Sequence, residues 1–218
     1  MADLTSFFRA HPVAALGLSG GVDSGYLLYA GARAGARITP YFVQTPFQPA
    51  FERETAERIA ALAGTALTVL PADPLADDDV RQNGARRCYY CKKLIFGAIR
   101  RAALAAGIPC LLDGTNVSDD ADDRPGMQAL TELTVYSPLR LCGLTKREIR
   151  AHAREAGLPN ADRPAYACLA TRIPTGMPIT EALLNRVDGA VFDIKQLFIS
   201  AAPNNTAGII PISNASCK

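Results

Sequence analysis

The chain has 218 residues, 49% of them hydrophobic, which suffices for one well-buried domain with a small appendage and argues against a second full-sized domain. Its 23 basic and 21 acidic side chains leave a formal charge of +2, far from the concentrated positive field of a dedicated nucleic-acid binder, so no nucleic-acid partner is expected. No segment approaches the about 20 consecutive apolar residues that cross a bilayer, and Met1-Ala2-Asp3-Leu4-Thr5 lacks a basic region leading into an apolar one, so a cytoplasmic protein with no membrane partner is expected.

In chain order, Val13-Ala14-Ala15-Leu16-Gly17-Leu18 is a short continuous apolar run ending in glycine-rich punctuation, as expected of a parallel strand buried on both faces. A helix is expected from Ser24, a second strand over Ile38–Val43, a second helix over Glu52–Ala63 and a third strand over Ala66–Leu70. Pro71–Gly84 is acidic and turn-rich and reads as a surface loop, followed by a helix over Cys91–Ala106 and a strand over Pro109–Asp113. Asn116–Gly126 is crowded with aspartates and reads as a loop. Thr145–Ala156 reads as a helix with Thr145 as cap and Glu148 in the capping-box position. Beyond Gly176 the pattern weakens: Thr180–Leu197 suits one more helix, and Ser200–Lys218 shows no periodicity and reads as a poorly ordered or irregular tail. The alternation of strands and helices argues for an α/β fold, a parallel sheet with helices on both faces and a short C-terminal extension.

Six cysteines, Cys88, Cys91, Cys110, Cys142, Cys168 and Cys217, would be disulfide candidates only in a secreted protein. In a reducing cytosol closely spaced thiols point instead to metal, iron–sulfur or catalytic work. Cys110 in an apolar run and Cys142 beside Gly143 read as inert filler. Cys88 and Cys91, if helical, share one face of a turn and can chelate a metal or form a redox pair.

The strand-to-helix turn Ser19-Gly20-Gly21-Val22-Asp23-Ser24 carries the strongest chemical signal. Such a turn aims backbone N–H groups and the positive end of a helix at one point, where phosphate binds. Ser19 and Ser24 add hydroxyl donors, Gly20 and Gly21 admit close approach, and Asp23 suits orienting the loop or holding Mg²⁺. The lysine of a P-loop and the spaced glycines of a dinucleotide fold are both missing from it. Asp113, Gly114, Thr115 and Asn116 follow the end of an expected strand, the edge where ligands of open α/β sheets collect. Arg124 and Arg172 are suited to holding phosphate or carboxylate bidentately.

The hexapeptide resembles the pyrophosphate loop of the ATP-pyrophosphatase (PP-loop) superfamily, with its adenine nucleotide α-hydrolase-like fold, whose members adenylylate a substrate and release pyrophosphate. Seven further stretches resemble the LarE-type ATP-dependent sulfur transferases: Thr45-Pro46-Phe47, Arg87–Lys93, Asp113–Asn116, Asp122–Gly126, Ser137-Pro138-Leu139, Gly143–Lys146 and Ala167–Gly176. The resemblance implies a domain over 1–176 and a segment over 177–218 that is divergent or truncated, since from Phe192 only Lys195 and Lys218 are basic. It implies ATP and Mg²⁺ as cofactors, with Ser19–Ser24, Gly114 and Thr115 on the nucleotide and Asp113, Asn116, Arg124, Thr171 and Arg172 on the substrate. That substrate is a pyridinium mononucleotide dicarboxylate, thiolated while a nickel-pincer cofactor is built, and a homo-oligomer is expected. The position of Cys168 supplies the sulfur in this family, either as a sacrificial cysteine or as one of three ligands, with Cys88 and Cys91, to a [4Fe–4S] cluster. The presence of all three thiols favours the cluster.

Two rival readings are another adenylylating enzyme, an amide-forming synthetase or a tRNA thiolase, and a non-catalytic nucleotide-binding remnant. An amide-forming enzyme has no need of Cys168, and a tRNA enzyme should carry a basic patch or an RNA-binding appendage.

Overall fold

A computed structural model describes residues 3–119 and 124–189, with the backbone alone at Arg124. Val13–Gly17 (β1) is the central strand of a sheet that holds five strands among the described residues. The others are β2 (Arg37–Gln44), β3 (Thr68–Pro71), β4 (Leu111–Leu112) and β5 (Val135–Tyr136), in the order β3-β2-β1-β4-β5 with every pairing parallel. The helices are α1 (Leu4–Ala10), α2 (Val22–Arg33), α3 (Ala50–Leu62), α4 (Asp78–Arg81), α5 (Arg87–Ala105), α6 (Arg124–Glu132), α7 (Pro138–Leu141) and α8 (Lys146–Glu155), and residues 181–189 are helical.

The strands lie between two apolar layers, as the continuous run of β1 requires. Ala14 and Leu16 of β1, with Ile38 and Phe42 of β2, pack on Phe8 of α1, Leu27 and Leu28 of α2, Ile59 of α3 and Ile149 of α8. Residues one step out of phase, Ala15, Tyr41 and Val43, meet Ile99 and Ala103 of α5 on the opposite face. The expected α/β architecture is therefore the observed one. A smaller apolar cluster stands apart from both layers and gathers Phe47, Val80, Leu169, Ala170, Ile173, Ile179 and Leu184, with Cys91 and Cys168 at its margin.

Three expectations need correction. Pro71–Gly84 is not a plain loop, because Asp73 and Asp77 accept N–H bonds that start a 3₁₀ turn over Pro74–Ala76 and the helix α4, and Val80 is fully buried. The helix expected from Cys91 begins at Arg87, whose buried side chain anchors the first turn in place of a side-chain cap. The aspartate-rich stretch ends in α6 from Arg124, followed by β5 and α7, elements too short to print a period. Expectations for Asp122, Asp123 and residues 190–218 fall outside the described residues.

Candidate active site

The strand order reverses between β1 and β4, and at such a switch point the carboxyl ends of the strands open a crevice. The Ser19–Ser24 loop leaves β1 on one side of it and the Asp113–Asn116 stretch leaves β4 on the other. Gly20 has φ 79°, and a Cβ there would collide with the Glu52 carbonyl oxygen, so glycine is required. Asn160 Nδ2 donates to the Gly20 carbonyl at 2.8 Å and pins the turn from the far end of the chain. The Ser19 and Ser24 hydroxyls lie 3.2 Å apart, Ser24 Oγ accepts the Ser19 N–H, and Ser19 Oγ accepts the Gly21 N–H. No side chain caps α2, whose N-cap is Gly21, so its first N–H groups are left to whatever the cavity holds.

Asp113 is 6% exposed and accepts hydrogen bonds from Ser137 Oγ at 2.6 Å and from Thr115 Oγ1. Burial pushes its carboxyl above the usual range, and the two hydroxyls pull it back. A Cβ on Gly114 would stand 2.7 Å from the Ser24 nitrogen, so glycine lets the two loops touch. Asn116 is completely buried: its Oδ1 accepts the Ser118 N–H, and its own N–H donates to Asp119. It shapes the turn after β4. Of Arg124 only the backbone is described, at the start of α6.

Two cavities flank the loop. One, of about 620 Å³, is lined by Gly17, Ser24, Lys92, Phe96, Asp113, Gly114 and Thr115 among others. The second, of about 390 Å³, is lined by Ser19–Asp23 together with Lys146, Arg150, Arg163, Tyr166 and Cys168. Lys146 Nζ donates to Asp23 Oδ2, while Asp23 Oδ1 is buried without a hydrogen-bond partner. Desolvation raises the Asp23 carboxyl and Lys146 opposes the rise. A lysine 123 positions along the chain thus stands beside the loop. Lys146 is placed by the capping box of α8, in which Thr145 Oγ1 accepts the Glu148 N–H and Glu148 accepts the Thr145 N–H.

The three thiols are neighbours, with Cys91 and Cys168 at the margin of one apolar cluster. Cys88 and Cys91 sit on the first turn of α5, and Cys168 precedes a 3₁₀ turn over Leu169–Arg172. Burial, then the neighbouring Cys168 and Cys88, push the Cys91 thiol up to about 12. Burial also raises Cys168, while the Arg87 guanidinium lowers it. Thr171 holds the turn by donating Oγ1 to the Cys168 carbonyl at 2.7 Å. Arg172 lies over the Tyr166 ring at 4.6 Å and donates to the Ala167 carbonyl, so that Tyr166 and not Arg172 forms the cavity wall. Among the described residues no three His, Cys, Asp or Glu side chains converge as a cage for a single ion.

The sequence singles out none of Arg150, Arg163, Tyr166 and Asp119, and it marks Lys146 only as part of a matched stretch. The available signal for Lys146 is its place just after a capped helix start. Arg150 and Arg163 are scattered cations whose common destination depends on the fold, with Arg150 donating to the carbonyls of Ala161 and Arg163.

No family model matches the chain. An uncharacterised protein of Synechocystis sp. is 33% identical over 196 residues, which is 89% of this chain and 73% of that protein. The chain belongs to that protein's family. Another relative is the pyridinium-3,5-bisthiocarboxylic acid mononucleotide synthase of Lactiplantibacillus plantarum, 29% identical over 174 residues, 79% of this chain. The alignment spans 63% of the synthase's own length. An uncharacterised protein of Methanocaldococcus jannaschii is 28% identical over 205 residues, 88% of this chain and 78% of its own. Among the described residues no helix is long and apolar enough to cross a membrane.

Proposed function

We propose that the chain is an ATP-dependent sulfur transferase that adenylylates a carboxylate of a pyridinium mononucleotide, releases pyrophosphate and inserts sulfur to give a thiocarboxylate during nickel-pincer cofactor biosynthesis. The observation that carries this reading is that the Ser19–Ser24 loop and Cys168 line one cavity. The synthase relative supplies the substrate class by its name.

A carboxylate resists nucleophiles because oxide leaves poorly, and attaching AMP supplies a competent leaving group. The loop's N–H groups, its two serine hydroxyls and Lys146 would hold the departing pyrophosphate, stabilising charge as it develops. The unpartnered Asp23 Oδ1 fits a divalent cation, and Mg²⁺ bound there would neutralise phosphate charge. Sulfur at the Cys168 position then attacks the acyl carbon, and AMP departs with the bonding pair.

The donor set at Cys88, Cys91 and Cys168 fits an iron–sulfur cluster in its chemistry. Each thiolate binds its own iron, so the ligands need to surround a volume and not a point. Arg87 offsets part of the charge that three thiolates would bring. Such a cluster would supply inorganic sulfide, whereas in the sacrificial route Cys168 Sγ forms a thioester with the acyl carbon, and loss of the Cα proton then breaks the Cβ–Sγ bond, releasing the thiocarboxylate and leaving dehydroalanine at position 168.

The test is mass spectrometry of protein and small molecules before and after incubation with ATP, Mg²⁺ and the mononucleotide dicarboxylate. Pyrophosphate and a thiolated product are expected together. Loss of H₂S from Cys168 would select the sacrificial route, and an unchanged polypeptide would select a cluster or persulfide. Absence of pyrophosphate release would leave a nucleotide-binding remnant.

A further inference from the structure

Asn83 and Arg87 supply none of the reacting atoms above, yet both are buried, at 1% and 7% exposure. A guanidinium out of water needs acceptors for its fixed fork of donors. Arg87 Nη1 donates to Asn83 Oδ1 at 2.6 Å and to the Ala170 carbonyl at 2.9 Å, and Nη2 lies 3.6 Å from Cys88 Sγ. Asn83 has φ 55°, a left-handed conformation that asparagine tolerates better than most residues. Its amide nitrogen faces the carbonyls of Ile173, Pro174 and Met177 at 3.3, 2.9 and 3.0 Å, and its own carbonyl accepts the Gly176 N–H at 2.9 Å.

These bonds join two stretches more than 80 positions apart, one carrying Cys88 and the other following directly on Cys168. The segment after Cys168 contains no strand among its described residues, so sheet pairing does not fix it. Two backbone bonds assist, from Leu169 N–H at the Cys168 turn to the Phe47 carbonyl and from Ile179 N–H to the Arg81 carbonyl, and neither ties that turn to the Cys88/Cys91 turn. Arg87 touches both sides, since it bonds the carbonyl two residues past Cys168 and approaches the sulfur of its own neighbour.

We propose that Asn83 and Arg87 form a clasp of positioning residues that sets where the Cys168 sulfur stands relative to the Cys88/Cys91 turn. This deepens the reading of Cys168 as the sulfur position and rests on it. The clasp serves either sulfur route, because both need Cys168 held at the cavity and one needs it beside the other two thiols. Lysine does not replace Arg87: Nη1 alone meets Asn83 and Ala170, but the second arm of the planar fork, which reaches toward Cys88 Sγ, has no counterpart in a single ammonium.

Dibromobimane, which becomes fluorescent when both of its arms are alkylated, reports thiol proximity without any turnover. With the folded, reduced, metal-free full chain isolated by gel filtration and incubated long enough for the slow Cys91 and Cys168 thiols to react, peptide mapping should find bridges from Cys168 to Cys88 or Cys91 as well as the bridge within the α5 turn. In Asn83→Gly, which keeps the backbone conformation, and in Arg87→Lys, the Cys168 bridges should fall about tenfold or more, since misplacement by about an ångström costs this order or more in a positioned encounter. The Cys88–Cys91 bridge should persist in both, as should ATP-dependent pyrophosphate release. The double variant should lose little more than either single one, as members of one unit do. Folded single variants that bridge Cys168 at the wild-type level would overturn the clasp, and loss of fold in both would assign the pair to stability alone and overturn it equally. Because bridging needs no substrate, its outcome stands apart from whether thiolation is found.

Discussion

The Ser19–Ser24 loop and the thiol corner border the same cavity but are built in opposite ways. Ser19–Ser24 is one contiguous stretch whose binding groups are mostly its own backbone N–H groups and two hydroxyls, set by the strand before it and the helix after it. The thiol corner is assembled from residues 83–91 and 168–179, and side chains bonding to distant carbonyls hold it together. A site made of local backbone survives most substitutions around it, whereas one made of long-range side-chain bonds depends on each of them.

The largest effect expected from this contrast is at Cys168. Cys168→Ala should abolish thiolated product while leaving ATP-dependent pyrophosphate release intact, measured by separate assays of the two products. Full thiolation by the variant would detach the corner from the chemistry. Next in size, the Cys91 thiol is pushed from 9.0 up to about 12, and burial disfavours its thiolate. In the metal-free protein its alkylation near neutral pH should be about a thousandfold slower than that of a free thiol and should keep rising with pH until about 12, because only the thiolate reacts. Ordinary alkylation at pH 8, followed by peptide mass spectrometry, would show that the corner is open to water. Asp23→Asn should then lower pyrophosphate release by about a hundredfold, the order lost with one preorganised electrostatic contact. Circular dichroism should be unchanged, since the fold of the loop rests on Gly20, Asn160 and the two serines. Wild-type release at saturating ATP would remove the loop from the reaction.

The smallest effect tests what places Lys146 at the loop. Thr145→Ala breaks the capping box of α8 and should cost about 1 kcal/mol in denaturant unfolding. A raised KM for ATP is also expected, through a less well-held Lys146. An unaltered KM would make the Lys146 contact with Asp23 incidental.

Legibility in the sequence follows the same division. β1, the loop and the capping box of α8 declare themselves because each depends on neighbours within a few positions. The early start of α5 does not, for Arg86 offers no side-chain cap and the first turn is held by Arg87 reaching Asn83 and Ala170. β5 has two residues and α7 four, below any period a reader can detect. Asn116 is completely buried, its Oδ1 serving the turn while its Nδ2 has no hydrogen-bond partner, and Asn83 carries no local mark at all. The meeting of Cys168 with Cys88 and Cys91 was a condition that sequence could state but not establish.

The central position of β1 has a consequence for the order in which the protein is made. Emerging from the ribosome, β1 can pair with β2 almost at once, but its other edge stays bare until Leu111 and Leu112 have been synthesised. Until then the strand that carries the Ser19–Ser24 loop is an edge strand, apolar and unprotected, the kind that recruits other chains. Its run of Val13-Ala14-Ala15-Leu16 is short and alanine-rich. Small side chains there limit the stickiness of that nascent edge while still filling the finished core.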